Sequence, residues 1–368
     1  MIRYNWQRKD WPHFTFGTKE ADTHLFAFAE RVGHVTGLLK GLSEEAQSDA
    51  LIEIMIAEAM KTSEIEGEYI SRQDVASSIR KNLGLVQVVS PIKDKKAEGI
   101  AKLMLDVRRT FSEPLTQEKL FAWHTLIFPD TTSISIGSWR THEDPMQIVS
   151  GAAGKEKVHF EAPPSSSVPL EMDRFISWFN DTSPGSKNEI TKAPVRSAVA
   201  HLYFETIHPF EDGNGRIGRA IAEKALSQGM NRPVLLSLSR TIEANRKEYY
   251  NALEKAQSSL NITSWVNYFS KTVLDAQIEE EKQIEFTLKK VKFFDRFKTQ
   301  LNDRQLIVVQ RMFEEGPVGF KGGMNTRKYV SIIKTSNSTA TRDLQDLVAK
   351  EILLPIGGGR SSRYELNI

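Results

Sequence analysis

The chain has 368 residues, 40% of them hydrophobic and 26% charged, an ordinary globular composition spread over more length than one core usually holds. A formal net charge of +2 argues neither for nor against nucleic acid, and the lack of cysteine excludes disulfides, thiolate zinc sites and cysteine nucleophiles while fitting a reducing compartment. No stretch is long and apolar enough to span a bilayer, and Met1 to Phe16 alternates aromatic and charged residues without the apolar run of a signal peptide, so a cytoplasmic location with no membrane partner is expected.

Ser43 to Ile65 reads as a helix, with Ser43 as N-cap, Glu44 and Glu45 in the first turn, and Leu51, Ile54, Met55 and Ala59 at helical spacing before Gly67 stops it. Leu115–Phe128 is a second helix, capped by Thr116. Helix breakers then gather at Gly137, Pro145, Gly151, Gly154, Pro163 and Pro164. Two β-like runs, Met146–Val149 and Val158–Phe160, predict a hairpin there. Helices resume at Val168–Asn180 and from Pro194 to Ile207. After the stretch from His208 to Arg219 another helix runs to Gly229, followed by helices over Asn245–Gln257 and from Ser264 to about Gln300. The last of these, with Glu279, Glu280, Glu281, Lys282, Lys289 and Lys290, reads as a solvated connecting helix. Helices at 303–315, 325–334 and 339–350, then strands Ile352–Ile356 and Arg363–Leu366 around a glycine tip, are the layout of a winged helix-turn-helix.

The chemistry concentrates at 208–219, His-Pro-Phe-Glu-Asp-Gly-Asn-Gly-Arg-Ile-Gly-Arg. One helix ends at His208, and Gly213, Asn214 and Gly215 open the next. A glycine-rich start to a helix exposes unpaired N–H groups at the positive end of its dipole, which suits phosphate. Arg216 and Arg219 lie three apart on one helical face and can serve the same anion. Asp212 at the mouth is placed as a lone carboxylate is for Mg²⁺ beside phosphates. His208 is the nearby group with an ordinary pKa near neutrality and suits a general base. The stretch holds no serine or cysteine, so the acceptor hydroxyl is expected from a second substrate.

These residues resemble the Fic family, whose pattern His-x-Phe-x-Asp/Glu-Gly-Asn-Gly-Arg-x-x-Arg is met by His208, Phe210, Asp212, Gly213, Asn214, Gly215, Arg216 and Arg219. The resemblance implies a mainly α fold: a Fic helical core with a β-hairpin flap, here followed by the winged helix-turn-helix. It implies transfer of AMP from ATP, with Mg²⁺, to Ser, Thr or Tyr hydroxyls of target proteins and of the chain itself. By the same resemblance His208 deprotonates the acceptor and Asp212 holds the metal. Gly213, Asn214 and Gly215, with Ile217 and Gly218 on the same turn, bind ATP; Arg216 and Arg219 hold its outer phosphates, and Phe210 packs inward. Thr62-Ser63-Glu64-Ile65-Glu66-Gly67 is similar to the family's inhibitory pattern, in which Thr62 braces the helix and Glu66, before Gly67, pairs with Arg219 inside the nucleotide site. Tyr4, Trp6, Trp11 and Phe14 look like the N-terminal extension of bacterial relatives.

The resemblance also implies that the flap pairs with the target backbone, bringing Val149, Ser150 and Gly151 to the nucleotide, and that Tyr249, Tyr250 and Gln257 line the adenine and ribose pocket. The domains expected are an N-terminal extension with the inhibitory helix (1–110), the catalytic core (111–265), the connecting helix (266–300) and the winged helix (301–368). In the last, Thr339, Thr341, Arg342 and Gln345, with Arg360 and Arg363 on the wing, are candidates to read DNA. Yet residues 301–368 carry ten Lys and Arg against seven Asp and Glu. Such a small excess favours docking of a target or a homodimer contact over DNA. Removal of AMP, transfer of another nucleotide such as UMP, and transcriptional regulation through the tail are the competing functions.

Overall fold

The structure, a computed structural model, describes residues 3–85, 92–131, 133–150, 157–358 and 362–368, and of Val318 only the backbone. The helices in chain order are α1 (Asp22–Lys40), α2 (Glu44–Ile65), α3 (Arg72–Asn82), α4 (Lys95–Arg109), α5 (Gln117–Ile127), α6 (Val168–Asp181), α7 (Ala193–Ile207), α8 (Asn214–Gly229), α9 (Leu238–Ala244), α10 (Arg246–Ala256), α11 (Thr263–Phe297), α12 (Asp303–Phe313), α13 (Thr326–Ile333) and α14 (Asn337–Ala349). Strands β1 (Gln147–Ser150) and β2 (Lys157–Glu161) pair antiparallel between α5 and α6, and β3 (Leu353–Ile356) and β4 (Arg363–Leu366) pair antiparallel after α14. The fold is thus helical, with two small hairpins.

The predicted caps do their work locally. Thr116 Oγ1 accepts from Lys119 N at 3.2 Å to start α5, and Ser43 Oγ accepts from Ala46 N at 3.3 Å to start α2. Pro194 lies in the first turn of α7, where its missing N–H is no loss. Helices α1, α3, α4 and α9 have no counterpart among the elements predicted above. In α4 the reason is visible: Gly99 interrupts the pattern, yet a Cβ there would come within 1.9 Å of the Leu126 carbonyl oxygen. Close approach of α4 to the end of α5 requires the glycine that hides the helix.

The chain divides into two compact units, Met1–Gly33 with Leu51–Ile278, and His34–Ala50 with Glu279–Ile368. In the first, α7 and α8 form the centre. Every residue of α7 is buried, and so are nearly all of α8. Ala200, Tyr203, Phe204, Ile217 and Ile221 join the core built with α4, α5 and α6. Val195, Val199, Leu202, Ala222 and Leu226 join another with α9, α10 and the start of α11. A helix buried on every side needs such a sandwich, and the charged groups it carries must find partners there. The N-terminal segment packs on this unit: Trp11 meets Tyr203 edge-on, and Asn5 N donates to the Gln257 carbonyl at 2.8 Å.

In the second unit α12, α13 and α14 enclose a core of Val308, Met312, Tyr329, Leu344 and Leu347, joined by Phe293 and Phe297 of α11. Asn302 and Gln305 form a reciprocal capping box at the start of α12. In chain order this unit ends in three helices followed by the hairpin of β3 and β4. The stretch of α11 read as solvated is not so throughout: Glu280 and Glu281 are buried, and Glu281 Oε1 lies 2.6 Å from His34 Nδ1. Ile284, Phe293 and Phe297 are buried as well, so the apolar stripe outweighs the charged composition.

Candidate active site

The stretch from His208 to Arg219 is the link between α7 and α8. His208 ends α7 in the left-handed region, at φ 50°, a conformation that a non-glycine residue holds only when its surroundings impose it. Arg140 supplies much of that constraint. Its backbone N donates to the Pro209 carbonyl at 2.9 Å, Nε to the His208 carbonyl at 2.8 Å, and Nη2 to those of Pro163 and Ile207 at 2.5 and 3.3 Å. Asn214 closes the loop on itself: its Oδ1 accepts from Phe210 N at 2.9 Å and its Nδ2 donates to Phe210 O at 2.8 Å. Phe210 is fully buried, with its ring 4.2 Å from and stacked on that of His124. His124 Nδ1 accepts from Gly137 N at 3.0 Å, which leaves Nε2 to donate to the Asp212 carbonyl at 3.1 Å. Gly213 starts α8 at φ 82°, and a Cβ on it would come within 2.6 Å of Ile127 Cδ1.

The two arginines meet carboxylates from one turn at the end of α2. Arg219, almost wholly buried, donates from Nη2 to Glu66 Oε1 at 2.7 Å and to the Thr62 carbonyl at 2.9 Å, and from Nε to Thr62 Oγ1 at 2.8 Å. Arg216 Nη1 donates to Glu68 Oε2 at 2.5 Å, and its guanidinium lies 4.8 Å from the Phe128 ring centre. Burial would raise the Glu66 pKa, but the Arg219 charge and hydrogen bond outweigh it, and the carboxyl sits below its ordinary value. Glu66 Oε1 also lies 2.3 Å from where a Cβ of Gly215 would stand. The carboxylate therefore rests against the first turn of α8, where a helix N-terminus attracts an anion. Gly67, at φ 80°, makes the turn that aims it.

His208 is half-buried, and burial, aided by the nearby Arg140 charge, lowers its pKa to about 4. The imidazole is thus neutral at physiological pH, ready to take a proton. Its Nδ1 lies 3.7 Å from Glu205 Oε2. Burial raises the Glu205 carboxyl to about 8. Gly218 makes room for it, since a Cβ there would come within 2.2 Å of Glu205 Oε1. Ile217 is buried in the core beside it. Asp212 is open, its side chain 61% exposed, with Oδ1 accepting from Gly213 N at 2.5 Å. Its neighbour Glu211 turns away and accepts from Ser135 N at 3.2 Å.

Tyr249 is buried, with its hydroxyl 2.7 Å from His201 Nε2, whereas Tyr250 is 38% exposed and its ring faces that of Tyr249 edge-on. Gln257 is buried beneath α7 and donates from Nε2 to the Glu205 carbonyl at 3.2 Å. In the hairpin, Val149 is opposite Val158 and Ser150 opposite Lys157, and both Val149 and Ser150 are exposed. Gly151 and Arg360 lie outside the described residues. In the second unit Thr341, Arg342 and Gln345 are exposed on α14, Thr339 is half-buried, and Arg363 is exposed on β4. Arg140, His124, Glu205 and Glu68 were not among the residues singled out from sequence. None belongs to the motif, and each acts through a contact made only in the fold.

A family model described as Fic/DOC family matches residues 114–226, and one described as a domain of unknown function, DUF4172, matches residues 4–85. Among curated proteins, a probable protein adenylyltransferase of Aquifex aeolicus (strain VF5) is 33% identical over 99 residues, 27% of this chain and 27% of that protein. The protein adenylyltransferase Fic of Aedes aegypti is 31% identical over 117 residues, 31% of this chain and 21% of that one. The chain therefore spans about a quarter or less of these relatives' length. A Fic family protein from Desulfovibrio desulfuricans G20 superimposes with a TM-score of 0.56 at 19% identity, over 96% of this chain and 98% of its own. A Fic domain containing signaling protein from Bacteroides thetaiotaomicron VPI-5482 does so with a TM-score of 0.52 at 18% identity, over 69% of this chain and 97% of its own. These two likenesses concern the fold. The matched span runs from just before α5 into α8 and contains the whole loop that Arg140, His124 and Asn214 hold, so the likeness to the Fic/DOC family covers the stretch that carries the site.

Proposed function

We propose that the chain is a protein adenylyltransferase that moves AMP from ATP to Ser, Thr or Tyr hydroxyls of a target protein and of itself, and that Glu66 restrains it. The observation that carries this is the position of the Glu66 carboxylate, on Arg219 and against the first turn of α8, where a phosphate would bind. In the reaction the acceptor oxygen bonds to the α-phosphorus and the bond from that phosphorus to the bridging oxygen breaks. Pyrophosphate leaves with its electron pair, and the hydroxyl proton goes to the neutral imidazole of His208. Gly213, Asn214 and Gly215 present N–H groups to the α-phosphate, and Arg216 and Arg219 neutralise the outer phosphates. Tyr249, Tyr250 and Gln257 would face the adenosine, and Val149, Ser150 and Gly151 the nucleotide from the flap.

Asp212 fits Mg²⁺: it is a lone open carboxylate beside the anion cradle, while Glu211 is tied to Ser135 N. The metal would be held by Asp212 with water and phosphate oxygens, and would supply charge neutralisation of the phosphates. The exposed face of α14 carries Arg342 among uncharged polar residues, which supports docking of a protein, a target or a second copy, over DNA.

Glu66→Gly tests the reading. With ATP labelled at the α-phosphate, the variant should label itself or added protein at least about tenfold faster than wild type, because a competing charged acceptor is gone. Glu66→Gly combined with Arg219→Ala should show no such gain. A variant that gains no labelling and instead loses removal of AMP from modified protein would reverse the direction of the reaction. A panel of nucleotides in the same assay separates AMP from UMP transfer.

A further inference from the structure

Both motif arginines are occupied, and by two carboxylates from one turn. Glu66 lies on Arg219 and Glu68 on Arg216, on either side of Gly67. The turn is closed by Glu66 N and Glu68 N donating to the Ser63 carbonyl at 3.1 and 3.0 Å, and by Gly67 N donating to Glu64 O at 3.0 Å. Gly67 is left-handed, and a Cβ there would meet nothing within 4 Å among the described residues, so backbone conformation and not space calls for glycine. The second carboxylate differs from the first in one respect. Glu68 Oε1 also accepts from Lys96 Nζ of α4 at 2.8 Å, and Lys96 is half exposed. Arg216, by contrast, is 3% exposed; Asp212 Oδ1 lies 3.8 Å from its Nη2, and its Nε makes no hydrogen bond among the described residues.

We infer that Glu68 is a second inhibitory carboxylate, which withholds Arg216 from the nucleotide as Glu66 withholds Arg219. This rests on the reading of the site as one for ATP. A buried guanidinium must be paired, so Arg216 is held by Glu68 until a phosphate replaces it. When that happens Glu68 keeps Lys96, so it is not stranded as an unpaired charge. Lys96 is the cation to which Glu68 retreats. Because the two carboxylates share a turn, displacement of that turn frees both arginines together, and the restraint is released as a unit.

The test uses the full chain and measures binding of Mg·ATP and of AMP by calorimetry, beside labelling from α-labelled ATP. Glu68→Gln keeps the size and a hydrogen-bond acceptor but removes the charge. It should bind ATP about fivefold more tightly than wild type and AMP unchanged, since AMP lacks the outer phosphates that Arg216 would hold. Combined with Glu66→Gly it should label several-fold faster than Glu66→Gly alone. ATP affinity in Glu68→Gln equal to or weaker than wild type would make Glu68 a structural prop and overturn the inference. Lys96→Met changes a half-exposed residue and gives an answer even if Glu68→Gln is poorly folded. With its retreat removed, Glu68 should hold Arg216 more strongly and ATP should bind about threefold more weakly, whereas a surface ion pair of no consequence would leave affinity unchanged and overturn the inference. Tighter ATP binding in Glu68→Gln without labelling by any variant would uphold Glu68 as a competitor and overturn adenylyl transfer instead.

Discussion

The link from His208 to Gly213 and the hairpin of β1 and β2 are both irregular stretches marked by glycine and proline, yet the fold treats them in opposite ways. The link is held from several sides, by Arg140, Asn214 and His124, and Phe210 is buried beneath it. The hairpin is held through β2, where Phe160 is buried edge-on against Tyr4 at 5.0 Å, Trp6 Nε1 donates to the Glu161 carbonyl at 2.7 Å, and His159 Nδ1 lies 2.9 Å from Glu254 Oε2. Further out, β1 is mostly exposed, and its register with β2 shifts between Ile148 and Val149. Groups that must meet developing charge gain from being fixed beforehand, whereas a strand that receives another backbone needs its edge free.

The sharpest break in that comparison is His208→Ala, which should lower labelling by about a thousandfold while leaving ATP affinity within about twofold, checked by labelled-ATP transfer and calorimetry. Near-wild-type transfer would remove His208 as the base. Next comes the clamp. Arg140→Met leaves the carbonyls of Pro163, Ile207 and His208 without their donor, and should cost about 3 kcal/mol of stability in urea unfolding. An unchanged midpoint would mean that the link does not depend on Arg140.

A comparable effect distinguishes the buried charges. Burial raises Glu205 to about 8, so the fold keeps its proton where the unfolded chain has released it, and this group's contribution to stability declines as pH rises from about 4.5 to 8. Glu205→Gln should therefore gain on the order of 3 kcal/mol relative to wild type between pH 5 and pH 8 in thermal or urea unfolding. The opposite sign would mean that Glu205 is ionised in the fold. His201 and His208, both lowered to about 4 by burial, act on the other side. They stay neutral in the fold, so stability is lost as pH falls below about 6.5, where the unfolded chain takes up protons. Least of all, Val149→Ser on the exposed part of the flap should change stability by less than about 0.5 kcal/mol. It should lower the labelling rate of an added target through KM. A large loss of stability would mean that the hairpin is core and not an open edge.

What was legible in the sequence was whatever neighbours in the chain decide together. The glycines, Asn214 and paired arginines that open α8 all follow His208 within eleven residues, so a helix N-terminus and an anion cradle could be read from spacing alone. The cap of α5 and the three helices and hairpin at the C-terminal end were legible for the same reason. The contact of Glu66 with Arg219 was expected only through the family resemblance, since 153 residues separate them and spacing says nothing at that distance. Helix α4 was hidden because the glycine that lets it approach α5 looks, in sequence, like a break.

The tertiary structure alone decided the pairing of Glu68 with Arg216 across 148 residues, the clamp of Arg140 on three carbonyls, and the environment of Glu205. Each depends on burial. A charge in water is much the same wherever it stands in the chain. Once packed away from water it must find a partner or shift its proton, and which of these happens depends on groups that only the fold brings within reach.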